Sequence, residues 1–240
     1  GCLTENEQVI RSLCRGCDDI ILRPMRLGFP APVSCLAVYI ETAVSNMMLR
    51  ESVLGQLLSH LWEMDTAGIR RVMEENGLGI SDMKELSTMK EAMDAMLAGN
   101  AVLFVDGYEK ALKIGSKGYP GTGVGKAESE KVLRGSKEAF CESVKINTAL
   151  IRKRIRTTGL KVEENFLGTR SNTVTALVYM EDLVRQDLLS QIKEELQSLS
   201  LDSVMDSGIL EQLTGRFSWP PFPRCQVTER PDRAAAALLE

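Results

Sequence analysis

The sequence is poor in the groups that most enzymes rely on. It has one histidine, His60, in 240 residues. A lone imidazole works as a general base only beside a placed nucleophile or carboxylate. The neighbours of His60 are Leu57, Leu58 and Leu61, so it reads as a packed or surface helix residue. No apolar run approaches the roughly 20 residues of a membrane-spanning helix. Cys2 to Glu7 is polar rather than the apolar start of a secretion signal. Neither sign of charge dominates. The net charge is −4; residues 1–120 carry 16 acids and 12 bases, and residues 121–240 carry 17 of each. That balance argues against a duplex nucleic-acid binder.

Complete site motifs are missing too. Six cysteines at irregular spacing suggest free thiols in a reducing compartment. Cys14-Arg15-Gly16-Cys17 is an isolated CxxC. Zinc takes four ligands, and no second pair or suitably spaced histidine exists. Redox pairs open a helix beside a βαβ unit, whereas this one follows a short helix. Gly121-Thr122-Gly123-Val124-Gly125-Lys126 imitates a phosphate loop. The full pattern needs glycine where Pro120 stands and Ser or Thr where Ala127 stands. A dinucleotide fingerprint would need glycine in place of Lys126. The reading is therefore no catalytic residue, no metal, no cofactor, and not an enzyme.

What is present is an internal repeat. Leu27-Gly28, Val38-Tyr39, Glu41, Val44 and Leu49 recur as Leu167-Gly168, Val178-Tyr179, Glu181, Val184 and Leu189. All seven identities share one offset of 140 residues without a gap. That period is domain-sized, far longer than a solenoid repeat. The expected fold class is α/β: two tandem related domains, each a small mixed sheet flanked by helices. The first covers residues 1–114, a Gly-rich linker covers 115–127 with five glycines and one proline, and the second covers 128–240.

Local patterns fill in the elements. Val9–Leu13 suits a short helix, and Ile20–Arg26 a strand, placed at an edge by Pro24. Phe29–Pro32 is a turn, and Val33–Ile40 reads as a buried strand. Helices are expected over residues 43–64 and 66–75. Thr88-Met89-Lys90-Glu91 has the form of a capping box opening a helix that ends at Gly99. Asp106-Gly107, between Ala101–Val105 and Tyr108–Ile114, suggests a two-residue type I′ hairpin. In the second unit a helix is expected over residues 136–156. It carries Phe140, Val144, Ile151 and Ile155 on one stripe, with Asn147 needing partners if buried. Strands follow at Lys161–Leu167 and Thr173–Met180, then a helix over Leu183–Leu199. Ser207–Leu213 suits a turn or short helix, and Trp219–Pro223 a stiff connector. Pro231 opens a last helix. In the first unit the matching helix leads into a strand and hairpin. The repeat therefore predicts a fragment whose second sheet lacks its last hairpin.

Two features bear on binding. Glu41 and Glu181 each follow a buried strand, where open α/β sheets often bind ligands. Equally, these acids can satisfy helix amides, with Thr42 and Asp182 as N-caps. Lys145 to Lys161 holds six bases and no acid. This stretch suits a solvated face, anionic lipid headgroups or an acidic protein partner.

Lys131-Val132-Leu133-Arg134-Gly135-Ser136-Lys137-Glu138-Ala139-Phe140, followed by Asn147-Thr148-Ala149-Leu150-Ile151-Arg152-Lys153-Arg154-Ile155-Arg156, carries a resemblance. So do Leu167–Ser171, Pro221–Pro223, Thr228–Glu240 and the hairpin Leu103–Gly107. The chain resembles the N-terminal region of spore germination receptor A subunits, the GerA family. The Gly118–Gly121 linker is similar to that of a relative, stage V sporulation protein AF. The resemblance implies a non-enzymatic regulatory and assembly region on the cytoplasmic side of the spore inner membrane. It implies a multi-helix membrane domain outside this sequence, partner B and C subunits or self-association, and coupling of germinant sensing to ion release. The expected contact or scaffold residues are Arg134, Asn147, Arg152, Arg154, Glu229, Arg230 and Asp232. The competing reading is a small-molecule sensor holding an amine or amino acid at Glu41, at Glu181 or in the cleft between domains.

Overall fold

A computed structural model describes residues 2–28, 32–43, 83–115, 127–199, 201–204 and 225–240, together with Gly68, Arg71, Tyr119 and Gly125. Apart from Pro32, Ala43, Gly68 and Arg71, the expected helices at 43–64 and 66–75 and the Phe29–Pro32 turn lie outside the described residues, as do Ser207–Leu213, Trp219–Pro223 and most of the linker.

The first half starts with α1 (Leu3–Leu13), longer than the apolar pattern alone indicates. The strands β1 (Ile20–Leu27) and β2 (Val33–Ile40) form an antiparallel hairpin. After β3 (Met83–Leu86) come α2 (Met89–Leu97), β4 (Ala101–Val105) and β5 (Ala111–Ile114). Together the strands make a five-stranded sheet in the order β1-β2-β4-β5-β3. β1 is at the edge, as Pro24 requires, because proline has no N–H to offer a second neighbour. β4 is central and buried at every position, which is why its sequence is continuously apolar.

The core of this half packs α1 and α2 on the sheet. Ile10, Leu36, Val38, Ile40, Met96 and Val102 are all buried in one cluster. Each such side chain contributes roughly 1.5–3 kcal/mol of transfer free energy. α2 begins as expected: the Thr88 hydroxyl accepts from the Glu91 amide at 3.2 Å, and the Glu91 carboxylate accepts from the Thr88 amide at 3.2 Å.

The β4–β5 hairpin is present, but its turn is not type I′. Among the described residues positive φ is taken at Gly107 (+75°) and not at Asp106. The Tyr108 amide donates to Val105 O at 3.1 Å, and β5 starts only at Ala111. A type I′ turn needs positive φ at both central residues.

The second half contains α3 (Val144–Arg152), β6 (Leu160–Leu167), β7 (Thr173–Met180), α4 (Gln186–Ser198) and α5 (Pro231–Ala237). β6 and β7 form a two-stranded antiparallel sheet. Both halves were expected to carry mixed sheets; every strand pair among the described residues is antiparallel.

The two hairpins share one register. Ile20 faces Ile40 and Leu27 faces Val33; Leu160 faces Met180 and Leu167 faces Thr173. Each position in the second hairpin is its counterpart plus 140, the offset of the sequence repeat. Gly28 (φ +96°) and Gly168 (φ +84°) follow the first strand of each pair in the left-handed conformation glycine tolerates. At Gly168 a Cβ would also come within 3.1 Å of the Ser203 backbone.

The expected helix over 136–156 is shorter: only Val144–Arg152 is helical. Residues 136–143 are held by other partners. Ala127 N donates to Lys137 O (3.2 Å), Ala139 N to Gly125 O (2.9 Å) and Phe140 N to Glu229 O (2.8 Å). The Asn147 amide side chain accepts from Cys141 N (2.8 Å) and donates to Cys141 O (2.6 Å), fixing the loop in place of a helical turn. Phe140 therefore reaches the core beside α3, not along its stripe.

Candidate functional site at the junction of the two hairpins

Between α1 and β1 the chain makes a tight turn, Cys14 to Asp19. Cys17 N donates to Cys14 O at 3.0 Å, with Gly16 at φ +71°. This turn lies along β6. Val162 N donates to Gly16 O at 2.8 Å, and Asp18 N donates to Val162 O at 2.9 Å. The result is a parallel bridge between Cys17 and Val162. Glu164 N adds a bond to the Asp18 carboxylate at 2.8 Å.

Beneath this bridge sits a buried ion pair. Arg152, in the last turn of α3, donates from Nε and Nη2 to the two oxygens of Asp19, both at 2.8 Å. The Arg152 side chain is 0 % exposed and that of Asp19 6 %. The third guanidinium nitrogen, Nη1, donates to Thr157 O at 2.6 Å. Burial opposes the charge on Arg152, but the bonds and charge of Asp19 outweigh it and hold its pKa above the ordinary arginine value. A bidentate fork of this kind suits arginine, not lysine.

Cys14 and Cys17 flank the pair. Cys17 Sγ donates to Leu160 O (3.5 Å) and Thr158 O (3.6 Å). Burial pushes the Cys14 thiol up to about 12 and raises the Cys17 thiol as well. Thiols so poorly ionised are weak nucleophiles and weak metal ligands. Among the described residues no group of three or more His, Cys, Asp or Glu side chains is placed to hold a metal.

Glu41 and Glu181 occupy equivalent ends of the two hairpins and are not brought together. Glu41 accepts from Lys145 Nζ at 2.7 and 2.8 Å, across the two halves. Glu181 lies 3.0 Å from the buried Lys161 ammonium. Asp182 does not cap α4; the N-cap is Arg185.

The acid-free stretch from Lys145 to Lys161 is not an open cationic face. Lys145 pairs with Glu41, Arg152 with Asp19, Lys153 and Arg154 with Glu138, and Lys161 with Glu181. Arg156 lies over the Tyr119 ring, 6.0 Å from its centre. The local sequence lacks acids because they come from elsewhere in the chain.

The remaining residues picked from sequence act as local fasteners. Arg154 also bonds Leu150 O and Ser136 Oγ. Glu229 accepts from the amides of Ser129 and Glu130, both at 2.7 Å, while Glu130 accepts from the Glu229 amide at 3.1 Å. Arg230 pairs with Asp232 in the first turn of α5. Arg134 stands exposed beside the fully exposed Leu133, without a polar partner among the described residues. Asp18 and Asp19 escaped the sequence reading. The signal for them was complementarity: two acids before the first strand, and a basic run before its repeat.

This geometry describes a scaffold in which two hairpins of matching register are fastened at a buried junction. The sequence model of the Bacillus/Clostridium GerA spore germination protein family matches residues 8–240. The chain belongs to that family. It is 34% identical over 238 residues to a protein described as uncharacterized membrane protein YfkQ of Bacillus subtilis, covering 99% of this chain and 46% of that one. It is 35% identical over 167 residues to stage V sporulation protein AF of the same organism, covering 69% of this chain and 34% of that one. The chain thus spans less than half the length of these relatives. Among solved structures, it matches the N-terminal domain of the A subunit of the Bacillus megaterium spore germinant receptor GerK3. The TM-score is 0.71 with 26% identity, covering 99% of this chain and 88% of that one. Among the described residues no helix is long and apolar enough to cross a membrane.

Proposed function

We propose that this chain is the N-terminal regulatory and assembly region of a spore germination receptor A subunit, coupling germinant sensing to ion release. In this reading it faces the cytoplasm at the spore inner membrane and carries no catalysis. It works with B- and C-type subunits or further copies of itself, and is joined to the membrane through a domain outside this sequence. We read residues 1–114 and 128–240 as its two related units, with 115–127 as linker.

The observation that supports this most is the buried Asp19–Arg152 pair between the two hairpins. With the Cys17–Val162 bridge and the Glu41–Lys145 pair, it resists free reorientation about the linker. Coupling then runs through a fastened junction, whose loosening requires breaking buried charge contacts. A two-state change needs such a discrete element. The test is germination of spores carrying Asp19→Ala or Arg152→Ala in the native protein. Measured per receptor present, since either substitution also lowers stability, germinant-triggered ion release should fall at least about tenfold. Normal release from spores that lack this region altogether would overturn the reading.

A second reading places a small-molecule germinant at Glu41 or Glu181, or in the cleft between the units. Each carboxylate already faces a lysine, so an amine ligand would have to displace it. Calorimetric titration with amino acids, sugars and ions discriminates; silence across the panel rejects it.

A further inference from the structure

One stretch of the second half stands clear of the protein. Residues 131–137 form a bend between Glu130 and Glu138, with neither helix nor strand. Near its tip Leu133 is fully exposed. The bend turns at Gly135, whose φ of +116° favours glycine. A Cβ placed there would meet nothing within 4 Å, so the tip borders open space.

A single exposed leucine is ordinary, but this one sits in a cationic collar. Lys131, Arg134 and Lys137 are exposed, and among the described residues their side chains have no hydrogen-bond or ion-pair partner. No acid falls within 131–137. Of the acids beside it, Glu130 pairs with Arg233, and Glu138 with Lys153 and Arg154; Glu128 stands at the foot. Lys145, Arg152, Lys153, Arg154 and Lys161 are paired within the fold; these three bases are not.

The bend is braced from below. Lys137 O accepts from Ala127 N at 3.2 Å, and the Glu229 carboxylate accepts from the Ser129 and Glu130 amides at 2.7 Å. Ser136 Oγ accepts from Arg154 Nη2 at 3.0 Å. A tip held at both ends loses little freedom on binding.

Its shape selects the partner. A projecting tip with one large apolar side chain cannot bury the roughly 800 Å² per partner of a stable protein interface. A headgroup layer needs no complementary groove. Leucine reaches the acyl boundary while long basic side chains stay with the phosphates. With a net charge of −4 the chain as a whole is repelled by an anionic surface, so approach is loop-first.

We propose that residues 131–137 dock on an anionic membrane surface. Leu133 enters the headgroup layer, and Lys131, Arg134 and Lys137 contact lipid phosphates. The contact is separate from the proposed regulatory role and sets which side of the chain faces the bilayer.

Vesicle flotation of the 240-residue chain tests this. At low salt the chain should float with vesicles containing phosphatidylglycerol and not with phosphatidylcholine alone. Binding should vanish at about 0.5 M salt. Lys131→Gln, Arg134→Gln and Lys137→Gln should each lower the partition coefficient about fivefold. Leu133→Ser should weaken binding at a constant salt slope. Lys90→Gln, the same charge change on exposed α2 surface, should leave binding within about twofold. All these side chains are exposed, so the urea midpoint should not move. Failure to float with anionic vesicles, or flotation that survives the triple charge substitution, would overturn the proposal. So would capture of a poly-glutamate peptide in place of vesicles, which would assign the bases to an acidic protein.

Discussion

Asp19 and Arg152 lie 133 residues apart and meet in a bidentate contact shielded from solvent. Removing one partner of such a pair leaves a buried charge uncompensated. Asp19→Ala should therefore cost about 3–5 kcal/mol, read as a lower urea midpoint. Arg152→Lys should not restore stability, because an ammonium cannot replace the fork or reach Thr157 O as well. Replacing both, as Asp19→Leu with Arg152→Met, should recover most of the loss. A cost below about 1 kcal/mol for Asp19→Ala, the range of an exposed pair, would mean that the junction is held by something else.

Acid should weaken the fold through identifiable carboxylates. Glu138 and Glu163 sit below the usual 4.5: burial opposes their charge, but Lys153 and Arg154 outweigh it at Glu138, and Lys193 and Tyr179 at Glu163. A depressed pKa stabilises fully above the unfolded value and is lost as pH falls through the folded one. Stability should thus hold from neutral pH and drop below about pH 4.5, the unfolded value. Glu138→Gln and Glu163→Gln should flatten that limb in urea midpoints taken across the range.

Glu164 shifts the opposite way. Burial raises it first, and Glu41, Asp18 and Asp19 add to the rise against Lys145. A raised carboxyl favours folding below its unfolded pKa and loses that contribution as pH rises through the folded value. Glu164→Gln should accordingly stabilise the chain at neutral pH and leave it unchanged in acid. A neutral-pH loss on that substitution would show that its charge is needed.

The thiols should separate by reactivity. Cys14 and Cys35 are buried and pushed up to about 12, and Cys17 is raised. Cys2 is exposed. Iodoacetamide at neutral pH should label Cys2 and spare those three until urea unfolds the chain. Rapid native labelling of Cys14 or Cys17, seen by peptide mass spectrometry, would place the turn in a more open state.

How far the sequence could be read follows the range of the interactions. The strands Val33–Ile40 and Thr173–Met180, the Thr88–Glu91 cap and the edge position of β1 were legible. They depend on side-chain alternation, hydrogen bonds within one turn, or a missing N–H. The 140-residue repeat pointed to matching strands, but their pairing as antiparallel hairpins of one register came from the structure, since the sheets were expected to be mixed. The helix over 136–156 was overread: Phe140 and Ile155 of its expected stripe lie outside α3, and Asn147, Glu229 and the backbone at Gly125 hold the preceding loop.

By itself the sequence determined most of the strands, several of the helices and the α/β class, and it carries no complete catalytic or metal motif. Only the tertiary structure decided which acid meets which base. The bases from Lys145 to Lys161 look alike along the chain, yet one, Arg152, is buried against Asp19 and another, Lys145, half-exposed against Glu41. That choice depends on the docking of β6 against the Cys17 turn, a contact between segments 145 residues apart, which no local pattern encodes.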